Sequence, residues 1–425
     1  MIAYLDPGIT GNVRRIFEIK GGSLSPLFLS PNGRPFYLSL IVIVVSSTTM
    51  GIAIKRLILM ATISLLILAV FANERVYNIL MLEANAHLNE LITDPDSTML
   101  GSLDSIRGAE PKLTSVPITK IVHKDLDAWF ASSQTQALIV QQRGEILYEA
   151  YSPDARRGLN VNGMSMAKNI VAMLVGIAIE KSLIGSEKDP VINYIPELSL
   201  ANASNTNIRD LLRHTSGIQS TLSDIQWTLK NHLIERPLGD IIFSEKREFY
   251  YDNMNYYLLR VILSRVYGKE INEIIEDNLW RPMELERAQI INNTGYCCLF
   301  ATARSWLAIG GLYLNKGRYQ TKQIVPERWL EKMVADSLTP PSFYVQGTNR
   351  STGNSYGYHV YSGMVKYPNF FWVEGMGLQL VMINPKTDTV IVRLGGIPSL
   401  FNSPFGHPKQ PLSEEIIELF IEADQ

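Results

Sequence analysis

The sequence predicts an α+β protein: a mainly antiparallel sheet flanked by helices, with an all-helical region inserted between its strands. Three observations carry this. Strand-like runs lie at both ends of the main body, over 137–149 and 370–394. The stretch between them, 222–300 above all, reads as helices. One helix, opening at Gly163-Met164-Ser165-Met166-Ala167-Lys168, is apolar almost all round from Ile170 onward, as a helix buried between layers must be.

The chain of 425 residues exceeds one average domain and can bury a large core. A net charge of −2, 19% charged residues and scattered Lys and Arg give no basic stripe for nucleic acid. The two Cys are neighbours, Cys297-Cys298, which excludes a disulfide framework. A bridge between adjacent residues is uncommon, so both are read as small apolar core residues. The six His do not fall at metal-ligand spacings; no metal and no cofactor is expected.

Residues 1–35 form a Gly- and Pro-rich tail carrying Arg14, Arg15, Lys20 and Arg34. Two apolar runs follow, 36–54 and 57–71, separated by Lys55-Arg56. Flanking positive charge makes 36–72 a transmembrane or signal segment rather than a pair of core helices. Three arrangements stay open. The runs form a membrane hairpin, or one is a signal anchor, or Met50 begins a cleavable signal ending at Val70-Phe71-Ala72. In the last case the first 49 residues are a mis-assigned start. An exported or membrane-associated protein is the favoured reading. Polar, turn-rich 73–117 is a stalk or arm, and 118–425 is the main domain.

Within that domain, 121–131 is expected as an amphipathic helix. Strands over 137–142 and 145–149 meet at Arg143-Gly144. The Ser165 helix follows and ends at Gly185, and Asp189-Pro190 begins a short element. A short helix at 207–213 closes on Ser216-Gly217. Helices follow at 253–267, 271–279 and 302–314, the last stopped by Asn315-Lys316-Gly317. Tyr356-Gly-Tyr-His-Val-Tyr361 alternates, and strands are expected at 370–373, 379–383 and 389–394, with a turn at 384–388. A terminal amphipathic helix spans 414–423. There are no internal repeats.

The chemistry concentrates at Ser165 and Lys168, three residues apart on one helical face. A hydroxyl beside an amine at the start of a buried helix is a candidate activated nucleophile. Ser-x-x-Lys alone is a weak pattern, but it occurs once, at a helix start, and its apolar surroundings desolvate the amine toward a usable base. A second proton-sharing group is sought among three Tyr-x-Asn matches, at Tyr251, Tyr313 and Tyr367. Tyr313-Leu314-Asn315 reads as a helix end and Tyr367-Pro368-Asn369 as a turn. Tyr251-Asp252-Asn253 precedes a helix with core-like Leu258 and Leu259, where a loop offers polar groups to a cleft. His214 is read as a structural residue holding its turn rather than as a catalytic base.

Together, Ser165-Met-Ala-Lys168, Leu211-Leu212-Arg213-His214-Thr215-Ser216-Gly217 and Tyr251-Asp-Asn253-x-x-Tyr256-x-Leu-Leu259 resemble the serine beta-lactamase and penicillin-recognising hydrolase superfamily. The branch is that of class C beta-lactamases, related esterases and 6-aminohexanoate-dimer hydrolases. Trp280-Arg281-Pro282-Met283, the stretch 297–311, and Gly375-Met376-Gly377-Leu378-Gln379 leading to Asn384-Pro385 extend the likeness over 118–424. It implies a beta-lactamase-like fold and a serine hydrolase acting on a small amide or ester. Ser165 would be the acyl-forming nucleophile, with Lys168 and Tyr251 as general base and acid. Asn253 would bond Lys168 or the substrate, and Gly377 and Gln379 would bind the substrate. The oxyanion hole would take the Ser165 N–H and one from the strand after Gly377.

The third motif departs from the superfamily's usual Lys or His, small residue, Gly. Here Val373-Glu374-Gly375-Met376-Gly377-Leu378-Gln379 lacks the positive charge that would hold a beta-lactam carboxylate. An amidase or esterase of another substrate therefore ranks above a peptidoglycan peptidase or a beta-lactamase. The alternative of another kind is a catalytically silent fold used for binding at the envelope.

Overall fold

The computed structural model describes residues 17–20, 23–29, 35–37, 103–110, 129–130, 133–152, 159–200, 203–218, 238, 241–291, 294–339, 355–396 and 412–421. The chain divides into two compact units, Met1–Asn73 and Glu74–Gln425. In the first, β1 (Phe17–Lys20), β2 (Ser23–Leu29) and β3 (Pro35–Tyr37) pair antiparallel in that order. The Gly/Pro-rich tail thus carries strands. The expected apolar segment 36–72 lies outside the described residues, save for Phe36 and Tyr37. Among the described residues no helix is long and apolar enough to cross a membrane.

The second unit opens with β4 (Asp104–Ile106). The helix expected at 121–131 lies outside the described residues except for Trp129 and Phe130, which are helical. β5 (Thr135–Gln142) and β6 (Glu145–Tyr151) make the expected hairpin. Its turn places Arg143 at φ +49° and Gly144 at φ +77°, the left-handed pair that a two-residue link demands. β7 (Val161–Asn162) runs into a 3-10 turn, Met164–Met166, and then helix α1 (Ala167–Glu180). α1 stops at Lys181, with Ser182 left-handed at φ +58°, before the Gly185 expected to end it. α2 (Ile208–Leu212) starts with a capping box between Asn207 and Asp210. α3 (Asn253–Tyr267) is capped by the Asp252 carboxylate and ends on left-handed Gly268. α4 (Ile271–Ile275) continues as a π turn, Glu276–Trp280.

β8 (Ala288–Ile290) and β9 (Leu299–Ala301) precede α5 (Ala303–Leu314), whose N-cap is Thr302. A small hairpin of β10 (Arg318–Tyr319) and β11 (Lys322–Gln323) leads to α6 (Glu327–Ala335). The strands β12 (Ser355–Tyr356), β13 (Tyr361–Ser362), β14 (Phe371–Gly375), β15 (Gln379–Asn384) and β16 (Thr389–Gly395) follow. α7 (Leu412–Ile421) comes last among the described elements.

The principal sheet has seven strands, β12-β13-β14-β15-β16-β5-β6, antiparallel throughout. A second sheet, β4-β8-β9-β7, ends on the strand that feeds the Ser165 turn. Both faces of the principal sheet are covered. Ile139, Val373, Val381, Val390 and Val392 join the core that includes α1, α3 and α5. Leu138, Val140, Trp372, Leu380, Met382 and Ile391 point the other way, onto Ile416, Ile417 and Phe420 of α7. Side chains that alternate between two buried faces explain why these strands read as continuous apolar runs. Most of α1 lies in the first core, its residues from Ala167 to Ala178 all buried.

Candidate active site

The Ser165 turn is fixed from three sides. Asn162, fully buried at the end of β7, accepts the Met164 N–H on its Oδ1 at 2.8 Å. The Gly163 N–H donates to the Leu299 carbonyl of β9 at 2.9 Å. From the principal sheet, Gly375 at the end of β14 approaches so closely that a β-carbon there would stand 2.2 Å from the Gly163 carbonyl oxygen. Met164 is held at φ +51°, a strained value for a residue with a side chain, immediately before the half-buried Ser165.

Lys168 is completely buried. Its Nζ donates to Ser165 Oγ at 3.0 Å and to the Tyr296 carbonyl at 2.9 Å. The rings of Tyr251, Tyr296 and Tyr256 lie 5.0, 5.6 and 6.0 Å from that amine. Burial disfavours the ammonium form of such an amine, and the Ser165 hydroxyl is its immediate proton-exchange partner.

Of the three Tyr-x-Asn matches, Tyr251 is the one beside Lys168. Tyr313 is half-buried on α5 and accepts from Asn169 Nδ2 at 2.8 Å; Tyr367 lies against the other face of the sheet and donates to Glu418 at 3.3 Å. Tyr251 is half-buried and stacks on His214 with ring centroids 4.4 Å apart. His214 is buried at φ +57°. Its Nδ1 takes the Asp252 N–H at 3.2 Å, and its carbonyl takes the Tyr250 N–H at 2.9 Å. With Nδ1 accepting, the neutral ring carries its proton on Nε2. His214 therefore holds more than its own turn: it grips the segment that presents Tyr251. Tyr256, fully buried, donates to the Leu212 carbonyl at 3.1 Å. Burial, with Tyr251 adjacent, pushes its phenol well above the usual value, so it stays protonated.

Asn253 opens α3 and is half-buried, and among the described residues no hydrogen bond joins it to Lys168. The enclosed amide nearby is Asn255, which the sequence reading does not single out. Its Oδ1 accepts from Ser216 Oγ at 2.6 Å and its Nδ2 donates to the Asp252 carbonyl at 3.1 Å. The period of α3 turns Asn255 inward and leaves Asn253 in its first turn.

The third-motif stretch is the end of β14, a left-handed turn and the start of β15. Gly377 and Leu378 lie at φ +79° and φ +61°. Gln379 is fully buried, and its Nε2 donates to the Gly395 carbonyl at 2.7 Å while its Oε1 accepts the Gly395 N–H at 3.0 Å. The expected substrate contact is thus a pin between β15 and β16: the amide satisfies the Gly395 backbone pair, which lies beyond Arg393, where the β15–β16 register ends. The Gly377 carbonyl accepts from Arg393 Nη1 at 2.7 Å. Arg393 is itself fully buried, and also bonds the Leu378, Ser133 and Gly396 carbonyls and Thr135 Oγ1. Burial pushes its guanidinium down to about 9.

Glu374 is buried and accepts from Trp372 Nε1 at 3.1 Å. Its carbonyl bonds His359 Nε2 at 3.0 Å, and His359 Nδ1 lies 3.1 Å from the Tyr356 hydroxyl. Since a carbonyl only accepts, His359 carries its proton on Nε2. The available sequence signals were a lone Arg within Thr389-Val-Ile-Val-Arg393-Leu and a lone His among tyrosines at 356–361.

The cysteines correct an expectation. Cys297 and Cys298 are joined by a disulfide and are not free core thiols. Among the described residues no group of three or more His, Cys, Asp and Glu side chains is arranged to hold a metal ion.

The beta-lactamase family matches residues 132–396. A 6-aminohexanoate-dimer hydrolase from Paenarthrobacter ureafaciens is 24% identical over 315 residues, 64% of this chain and 76% of its own. Among solved structures, a candidate 6-aminohexanoate-dimer hydrolase from Bacillus anthracis superposes with a TM-score of 0.61 at 18% identity, over 76% of this chain and 90% of its own. A D-amino acid amidase from Ochrobactrum anthropi SV3 gives 0.55 at 12% identity, over 70% and 98%.

Proposed function

Because the chain belongs to the beta-lactamase family, we propose that it is a serine hydrolase that cleaves an amide or ester bond through an acyl-enzyme on Ser165. The observation that carries this is the 3.0 Å bond between Ser165 Oγ and the fully buried Lys168 amine. Lys168 takes the hydroxyl proton as Ser165 attacks the substrate carbonyl. Tyr251, beside the amine, passes a proton to the leaving group. Tyr256 is excluded from that task by its burial and its bond to Leu212. The tetrahedral oxyanion faces the Ser165 N–H and a second N–H at the end of β14. The close approach of Gly375 to Gly163 favours Met376 as that donor over a residue beyond Gly377. Water then releases the acyl group by the reverse proton path.

An amide ranks first as substrate, in keeping with the named activities of the 6-aminohexanoate-dimer hydrolase and the D-amino acid amidase. A beta-lactam ranks last. Val373 faces the apolar core and Glu374 is acidic, so this part of the strand lacks the cation that would hold a carboxylate. Residues 118–425 are taken as the hydrolase domain and 36–72 as an export or anchoring segment; mass spectrometry of the mature amino terminus tests the latter, a start at Asn73 marking cleavage. The catalytic reading is tested with a fluorophosphonate probe. Wild-type protein is expected to label and Ser165→Ala to lose the label; equal labelling of the two, or none, sinks the acyl-enzyme and returns the fold to a binding role.

A further inference from the structure

We propose that the Cys297–Cys298 disulfide is the positioning element for Lys168 and that its reduction turns the site down. The inference rests on the acyl-enzyme reading above. The Lys168 amine donates to the Tyr296 carbonyl at 2.9 Å, which belongs to the peptide bond that enters Cys297. The other side of the bridge touches the nucleophile's own turn: the Cys298 N–H donates to the Met164 carbonyl at 3.4 Å, one residue before Ser165. Thr294 Oγ1 braces the loop from beneath, bonding the Cys297 carbonyl at 2.9 Å and the Ile291 carbonyl at 3.1 Å. Cys298 stands at φ +71°, a left-handed value that a residue with a β-carbon leaves when nothing holds it. The bridge, closing a ring through the peptide between the two cysteines, is what can hold it there. Opened, the pair relaxes toward negative φ, and the Tyr296 carbonyl turns with it, away from Lys168.

The chemistry is ordinary exchange with a dithiol. One reagent sulfur attacks the bridge, the S–S bond breaks and a mixed disulfide forms. The second reagent sulfur then displaces the protein. Two electrons and two protons end on Cys297 and Cys298 as thiols, and the reagent leaves as its cyclic disulfide. Cys297 is half-buried, so one sulfur-bearing residue of the pair meets solvent. The chain has two Cys in all, so a dithiol has no other bond to act on.

The test uses the full chain, with the redox state of the pair read by intact mass. Dithiothreitol is expected to lower the rate of Ser165 labelling by a fluorophosphonate about tenfold or more, as a reacting group displaced by a fraction of an ångström to 1 Å would. Reoxidation restores the rate, and far-UV circular dichroism stays unchanged. The Cys297→Ala/Cys298→Ala variant is expected to stay at the low rate and to ignore dithiothreitol. The acid limb of the pH–rate profile is expected to shift in the reduced protein, since both the hydration of the Lys168 amine and its bond to the Tyr296 carbonyl change. Equal rates in the oxidised and reduced wild type overturn the proposal. If the oxidised protein does not label at all, the acyl-enzyme reading fails, and reductive methylation of Lys168 decides the positioning claim by itself. Faster methylation after reduction supports it, and equal methylation overturns it.

Discussion

The contact between Gly375 and the Ser165 turn allows a sharp test. Gly375 has no side chain, and a β-carbon built there meets the Gly163 carbonyl oxygen at 2.2 Å and Met164 Cβ at 3.1 Å. The first obstacle is backbone, so no rotamer change relieves it. Ordinary contact begins near 3.4 Å, so Gly375→Ala must part β14 from the turn by about 1.2 Å, the difference of the two distances. The proposed oxyanion donors lie on the two sides of that seam, one at Ser165 and one just beyond Gly375. A displacement of about 1 Å in a reacting geometry costs about 10²-fold, or roughly 2.7 kcal/mol of transition-state stabilisation. The assay is hydrolysis of a p-nitrophenyl ester together with the second-order rate of fluorophosphonate labelling. Thermal unfolding should register a further cost of about 1–3 kcal/mol from overpacking. Gly311→Ala is the control. It lies on α5 with its nearest foreign atom, Asn315 Nδ2, at 3.8 Å, so its rate should match wild type and its stability rise slightly. A Gly375→Ala rate within threefold of wild type would refute the reasoning, for the seam would then not bear on the chemistry.

Three further outcomes are expected. Tyr251→Phe keeps the stack on His214 but removes the phenol proton, so kcat should fall about 10²-fold or more while the melting temperature holds; an unchanged kcat removes Tyr251 from the proton path. Asp336 is subject to burial, which raises its pKa, but hydrogen bonds from Arg209 and Tyr358 outweigh that and hold it below 3.8. A depressed carboxylate stabilises the fold above its unfolded pKa and loses that contribution as pH falls through the folded value. Asp336→Asn should therefore cost about 1–2 kcal/mol at pH 7, kept small because Arg209 is 38% exposed, and the gap to wild type should close below about pH 4 in urea titrations. Gly176→Ala drives a methyl into Trp329 at 2.1 Å in the middle of α1, so the urea midpoint should drop by the equivalent of about 1–3 kcal/mol; an unchanged midpoint means that Trp329 moves freely aside.

The parts of the fold legible in the sequence are those where local chemistry and tertiary packing agree. The β5–β6 hairpin, α3 and α5 appear where turn residues, caps and apolar periods put them. Ser165 and Lys168 were legible for the same reason, since three residues of helix suffice to bring them together. What was not legible depends on distant partners. Gln379 looks like a substrate contact because its neighbours resemble a motif, yet its amide is consumed by Gly395 of the next strand, sixteen residues on, which no local pattern announces. Asn253 and Asn255 are both plausible by type, and only the phase of α3 against α2 decides which one is enclosed. The Cys pair was discounted on the general rarity of adjacent bridges, an argument that holds until a site needs such a loop.

These misses share a location. Lys168 donates a hydrogen bond to a carbonyl 128 positions away, and the turn that presents Tyr251 hangs on His214 and Asn255 rather than on its own helix. Met164, His214, Cys298, His359 and Leu378 all take positive φ without being glycine, and each lies in or bonds to the Ser165 turn, the Tyr251 segment, β14 or the turn that follows β14. Such conformations persist where surrounding contacts over-determine them. The nucleophile is thus written locally, whereas its alignment is written in the clamps. It follows that substitutions at the clamps should separate rate from fold: they leave the apolar core of α1 and the sheet intact while releasing Lys168 or Tyr251 from register. A stability screen would pass over those positions, and an acylation-rate screen would find them.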